Sequence, residues 1–158
     1  MGVLMRRPDL VYRVDRALQE SGLQRLSSAD FDRSEYQQVF GLIQESLAQD
    51  VSEPLNFILN GLTLPLIEMA DELLVRTNKL DTNEERILED LMRALLALRQ
   101  REVRQNLDHL RYLMEEAQQQ GDRELSDYRT SVAQYTQVLN RLHQAAGRFS
   151  SRSASKPA

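Results

Sequence analysis

The chain has 158 residues, of which 41% are apolar and 28% charged, a composition typical of an ordinary soluble domain. Twenty Lys and Arg against 24 Asp and Glu give a net charge of −4, which argues against a protein that binds nucleic acid over its whole surface. The lack of cysteine excludes disulfides, zinc ribbons and thiol catalysis, and fits a cytoplasmic location. The longest uncharged run, between Glu53 and Glu68, is too short and polar to cross a bilayer, so we expect no membrane association.

The first apolar residues recur at helical spacing and predict two helices. The first follows Pro8 and ends before Gly22, a position past a helix end where a positive φ is needed. Asp32 with Glu35 three residues later is a start signal for the second helix. Its predicted buried stripe comprises Tyr36, Val39, Phe40, Ile43 and Leu47.

Two further short helices are predicted before a boundary at residues 78–81. Ser52 is the expected N-cap of the third, which starts at Pro54 and ends near residues 60–61. Thr63 precedes the fourth helix. The predicted buried face of the fourth helix comprises Ile67, Ala70, Leu73 and Leu74.

The second half of the chain predicts a long helix that folds back on itself. Thr82 and Glu85 form a capping box that opens a helical pattern without Gly or Pro until Gly121, and Asp122 can cap the next helix. Apolar residues on both sides of this break alternate in steps of three and four, as in a coiled-coil seam. Facing pairs have numbers that add to a constant, which is the signature of an antiparallel helical hairpin. The pairs are Ala117 with Leu125, Met114 with Tyr128, Leu110 with Val132, Leu107 with Tyr135, and Val103 with Leu139.

The sequence therefore predicts an all-α fold with three parts. A small N-terminal helical bundle occupies residues 1–81, a long helix and antiparallel C-terminal hairpin occupy 82–146, and a disordered basic tail occupies 147–158. A short Ser-rich and Arg-rich tail is either a solubilising end or a weak contact for DNA or an acidic protein.

The sequence contains no recognisable catalytic or metal-binding motif. His109 and His143 each lack the Glu three residues earlier that a di-iron helical bundle requires. Adjacent acids such as Glu115 and Glu116 point about 100° apart on a helix, so they do not form a catalytic pair. No phosphate-binding loop or nucleophile elbow is present. We expect no catalytic residue, metal or cofactor in this chain.

A surface for a partner remains as the functional hypothesis. Tyr112, Leu113 and Val138 lie off the predicted seam, where they either form an interaction site or pack against the N-terminal helices.

Two stretches resemble a known family. The segment LRYLMEEAQQQGDRELSDYRTSVAQYTQVLNRLHQA, residues 110–145, resembles the C-terminal hairpin of bacterial DNA primases of the DnaG type. Upstream, RPDLVYRVDRALQESGL, LSSADF and EYQQVFGLI resemble the first helices of the helicase-binding domain of the same primases. The resemblance covers about residues 3–146, and the EAQxxGD segment at the turn is its most specific mark.

The resemblance implies a non-catalytic domain that docks primase on the hexameric replicative helicase of the DnaB type. The zinc and magnesium sites of the family belong to domains that have no counterpart here. We expect a monomer that binds the helicase through the hairpin, with no nucleic-acid contact beyond a weak one by the tail. The expected partner-binding residues are Arg111, Tyr112, Leu113, Glu115, Tyr128, Arg129 and Val138.

Two other classes stay open. A stand-alone helical adaptor, or the N-terminal collar domain of a replicative helicase, would self-associate into a ring. A helical carboxylate enzyme would hold a metal, against which the missing Glu-x-x-His motif argues.

Overall fold

A computed structural model of the chain describes residues 1–79, 83–120 and 125–152, and within these ranges the regular structure is entirely helical, which confirms the all-α class. None of the described helices is long and apolar enough to span a membrane. The elements are α1 (Gly2–Arg6), α2 (Leu10–Glu20), a 3-10 turn (Ser28–Asp30), α3 (Ser34–Leu47), α4 (Pro54–Gly61), α5 (Leu64–Arg76), α6 (Glu84–Gln120) and α7 (Leu125–Arg152).

The helix ends confirm some local signals and correct others. Gly22 has a φ of 70°, as predicted for the residue that follows α2. The helix predicted from Asp32 and Glu35 is present and begins at Ser34, but its N-cap is Arg33 and not Asp32, and no side-chain hydrogen bond caps it. The capping box lies instead on the preceding 3-10 turn, where the carboxylate of Asp30 accepts a hydrogen bond from the Ser27 N–H at 2.8 Å.

The later N-caps also differ in part from the prediction. Glu53, and not Ser52, is the N-cap of α4, and Pro54 occupies its first turn. Thr63 is the N-cap residue of α5, as expected. Thr82 and the break at 121–124 lie outside the described residues. At the described start of α6, the side-chain oxygen of Asn83 accepts a hydrogen bond from the Glu85 N–H at 3.0 Å.

The chain divides into two compact units, and the division falls inside α6. The first unit comprises Met1–Glu20 and Gln24–Leu91, and the second comprises Ser21–Leu23 and Met92–Ala158. This division differs by ten residues from the boundary predicted at 81. The reason is that the first turns of α6 belong to the first unit, where Ile87 is buried and Glu84 bonds to α2.

Charge is segregated between these units. The first contains nine Lys and Arg and seventeen Asp and Glu, a net charge of −8. The second contains eleven basic and seven acidic residues, a net charge of +4. The near-neutral chain thus consists of an acidic unit and a basic unit.

Phe40 of α3 is one of the largest buried side chains of the first unit. Its side chain is fully buried, and its ring centroid is 5.3 Å from that of Phe31. The prediction that Ile67 is buried on α5 is wrong, because Leu66 and Ala70 face the core and Ile67 is 40% exposed. The other buried apolar side chains of this unit are Leu4, Met5, Leu10, Val11, Val14, Leu18, Leu26, Val39, Ile43, Ile58, Leu62 and Ile87.

Helix α1, which the sequence pattern missed, packs on the C-terminal end of α5. A Cβ added at Gly2 would lie 2.6 Å from the carbonyl oxygen of Leu73, so only glycine fits there without a shift. The Arg6 guanidinium donates to the Leu74 carbonyl oxygen at 2.6 Å and to the Thr77 hydroxyl at 3.2 Å. These bonds satisfy carbonyl and hydroxyl groups at the helix end.

Ion pairs connect the N-terminal end of α6 to the residues around α2. The carboxylate of Glu84 accepts hydrogen bonds from Arg7 at 2.6 Å and from Arg13 at 2.8 Å. Arg7 also bonds to both carboxylate oxygens of Asp9, and these hydrogen bonds lower the pKa of the Asp9 carboxyl. Glu84 therefore holds two guanidinium groups with one carboxylate.

Glu84→Gln is expected to lower the free energy of unfolding of the first unit by at most about 1 kcal/mol. The effect is small because the side chains of Glu84, Arg7 and Arg13 are all partly solvated. The loss should shrink in about 1 M salt, where exposed ion pairs are screened. Urea denaturation at low and high salt measures it. Glu85→Gln, at the neighbouring exposed position, is the control, and an equal loss for both variants would contradict the role of the ion pairs.

The C-terminal tail begins later than predicted. Helix α7 continues through Gly147 to Arg152, so residues 147–152 are helical. Phe149 accounts for this extension, because it is buried and follows Ala146 by three residues in the apolar spacing of α7. Residues 153–158 lie outside the described ranges.

Candidate protein-interaction surface

The apolar seam positions of α6 and α7 are withdrawn from solvent. In α6, Leu96, Val103, Leu107 and Ala117 are buried, and Leu110 and Met114 are half-buried. In α7, Leu142 is buried, and the remaining predicted positions are half-buried, namely Leu125, Tyr128, Val132, Tyr135, Leu139 and Ala146. The burial pattern therefore follows the steps of three and four along both helices.

A polar contact joins the two helices at the edge of this seam. The Arg104 guanidinium lies 3.1 Å from Nε2 of His143. Because a guanidinium can only donate, the imidazole nitrogen is the acceptor of this hydrogen bond. Each partner directly follows a buried seam residue, Val103 in α6 and Leu142 in α7. The sequence pattern gives no partner for His143, so this contact was not predicted.

Four of the predicted partner-binding residues lie on α6. Tyr112 is 63% exposed, and Glu115, one turn later, is also exposed. Arg111 is exposed and pairs with Asp108 at 3.1 Å. Leu113 is half-buried. Tyr112 is therefore the largest apolar side chain that this part of α6 offers to a partner.

The other three residues lie on α7. Arg129 is exposed, and Val138 is 40% exposed. Tyr128 is half-buried and belongs to the seam spacing, so it has less surface to offer a partner. The structure thus leaves Tyr112, Val138, Arg111, Arg129 and Glu115 accessible.

Exposed basic side chains follow the seam at heptad spacing. Arg104 and Arg111 are seven residues apart on α6, and Arg129 and His143 are fourteen apart on α7. Each comes directly after a seam position, so on its own helix each lies along one edge of the apolar stripe. The spacing of these four residues follows from the predicted seam positions. Only Arg111 and Arg129 of the four were predicted as partner-binding residues.

The described ranges contain no candidate metal-binding site. There, no group of three or more His, Cys, Asp and Glu side chains is placed to hold a metal ion. His109 is exposed, and His143 bonds to Arg104.

Comparisons with protein-family models, with curated proteins and with solved structures found no match to this sequence.

Proposed function

We propose that the chain is a non-catalytic docking module in which α6 and α7 form an antiparallel hairpin that binds a hexameric replicative DNA helicase. Three observations support the hairpin: the burial of both apolar stripes, the matching seam numbers, and the contact between Arg104 and His143. In an antiparallel pair, side chains tilt toward the N-terminus of each helix, so those of residues 104 and 143 converge.

The observation that carries the docking role is the exposed Tyr112 beside Arg111 on a helix whose other large apolar residues are buried or half-buried. Tyrosine and arginine are the residues most often found at the energetic centres of protein interfaces. Val138 and Arg129 are the exposed candidates on α7. This chemistry, together with the net charge of +4 of the second unit, favours an acidic partner surface with apolar recesses.

The choice of the helicase as partner rests on the resemblance of residues 110–145 to the primase hairpin. The experiment mixes the full chain with the hexameric replicative helicase of the same bacterium, plus nucleotide, and follows co-elution by size-exclusion chromatography with light scattering. A monomer that co-elutes with the hexamer is the expected result.

Tyr112→Ala is expected to weaken helicase binding about tenfold or more, since truncation of a central interface aromatic costs 2 kcal/mol or more. Tyr12→Ala is the matched control, because Tyr12 of α2 is 60% exposed and Tyr112 is 63% exposed. A titration of labelled chain with helicase measures both affinities. Equal affinities for the two variants, or no co-elution of the unaltered chain, would contradict the proposal.

A self-associating collar or adaptor domain is the second candidate. The charge segregation favours it, because an acidic unit and a basic unit on one chain are complementary in a head-to-tail contact, which closes into a ring when the geometry permits. Light scattering of the chain alone separates the two candidates. A ring that dissociates in high salt would support the collar, whereas a monomer at high concentration would exclude it.

A further inference from the structure

Helix α5 presents apolar side chains to solvent on the side opposite its packed face. Leu64 is 83% exposed, Ile67 is 40% exposed and Val75 is 75% exposed. The packed side of the same helix is already supplied by the buried Leu66 and Ala70. The outward apolar residues therefore do not contribute to the buried core of the first unit.

Acidic side chains share this outward side. Glu68, Asp71 and Glu72 are exposed, and at 3.6 residues per turn they fall with Leu64, Ile67 and Val75 within an arc of about 140°. We call these six residues the α5 stripe. Arg76 follows the stripe and lies 3.6 Å from the Glu72 carboxylate, which leaves a local charge of −2.

The shape of the stripe restricts its occupant. The surface depression at this place is lined by residues of α5 alone, so it is an open helix face and not an enclosed cavity for a small molecule. From residue 64 to residue 75 the stripe is about 16 Å long, three turns of helix. A second helix laid alongside α5 would match this length and cover the apolar residues.

We propose that the α5 stripe docks a basic amphipathic helix of a partner protein. Leu or Ile side chains of that helix would cover Leu64, Ile67 and Val75, and its Lys or Arg side chains would face Glu68, Asp71 and Glu72. The charge of the stripe, and the net charge of −8 of the whole first unit, select a basic helix over an acidic one.

A second copy of this chain is the weaker occupant. Among the described residues of the second unit, the exposed large apolar side chains are Tyr112 and Val138, which lie on different helices and make no apolar row at helical spacing. The partner helix is therefore assigned to another protein. The α5 stripe shares no residue with the proposed helicase-binding residues Arg111, Tyr112, Arg129 and Val138. This proposal therefore does not depend on helicase binding.

The lack of cysteine allows a site-specific test on the full chain. Acrylodan is attached to Val75→Cys in the stripe and, as a control, to Val51→Cys, an apolar position that is 94% exposed between α3 and α4. The probe is a synthetic 18-residue amphipathic helix with Leu on one face and Lys on the other. We expect saturable binding with a blue shift at position 75 and none at position 51.

Charge-reversal variants test the acidic contacts. Glu68→Lys with Asp71→Lys is expected to weaken peptide binding about tenfold or more, because like charges then face each other. Glu45→Lys with Asp50→Lys changes the net charge equally at exposed positions outside the stripe, and should change the affinity less than about twofold.

Several outcomes would overturn the proposal: no binding at about 1 mM peptide, an equal effect of both charge reversals, or equal binding of a peptide with Glu in place of Lys. Self-association of the unlabelled chain that the stripe variant abolishes would assign the stripe to a second copy. Tyr112→Ala should leave peptide binding unchanged, so failure here and failure of the helicase proposal are read separately.

Discussion

Phe40→Ala is expected to lower the free energy of unfolding of the first unit by about 3 to 5 kcal/mol, the range for phenylalanine removed from a packed core. The side chain is fully buried, and its ring packs 5.3 Å from that of Phe31 in a tilted arrangement. Truncation removes both the buried apolar area and the ring contact, and it leaves a cavity that close-packed neighbours fill only in part.

Guanidinium chloride denaturation followed by circular dichroism measures this loss. Because the chain has two compact units, circular dichroism reports on the unfolding of both. Amide exchange of α3 is therefore measured as well, since it reports on the first unit alone. Tyr12→Ala, at a 60% exposed aromatic position, should stay within about 0.5 kcal/mol of the unaltered chain. A loss below about 1 kcal/mol for Phe40→Ala would show that the core does not centre on this ring.

Leu142→Ala is expected to destabilise the second unit by about 2 to 5 kcal/mol. Leu142 is 2% exposed, and it precedes His143, which bonds to Arg104 of α6. If the two helices pair as proposed, a cavity on α7 also weakens α6, because neither long helix has enough stability without its packed face.

Amide hydrogen exchange gives the deciding measurement. We expect faster exchange in the facing part of α6 as well as in α7. Val138→Ala is the matched control, an aliphatic truncation one turn earlier on α7 at a position that is 40% exposed. It should have a much smaller effect on stability. Faster exchange confined to α7 would contradict the antiparallel pairing.

The two docking proposals differ in the sign of the charge that each surface offers. The proposed helicase-binding residues belong to the unit with a net charge of +4, which favours an acidic partner face, whereas the α5 stripe is acidic and favours a basic helix. A module with two such surfaces would bind two partners, or two regions of one partner, without mutual competition. Binding of the helicase and of the basic peptide to the same chain is therefore expected to be independent, with avidity only if one partner carries both features.

Much of the candidate site was readable from the sequence because it depends on helical periodicity. The steps of three and four predict the seam positions, which are buried or half-buried in the structure, and they leave Tyr112 and Val138 outside these positions. The contact between Arg104 and His143 was missed because it joins residues 39 positions apart, and no local pattern reports which long side chains meet across a pair of helices. The α5 stripe was missed because Ile67 fits two helical phases, and only packing decides between them.

By itself the sequence determined the all-α class, the main helices and the turn at Gly22, because periodicity, caps and positive φ are local properties. Only the tertiary structure decided the rest. Helix α1 is five residues long and is held by contacts to α5, and α7 extends to Arg152 with Phe149 buried. The unit boundary lies inside the continuous α6, because side chains at its start belong to a different core from those that follow. These features depend on which distant surfaces meet, and that information is absent from any short window of the chain.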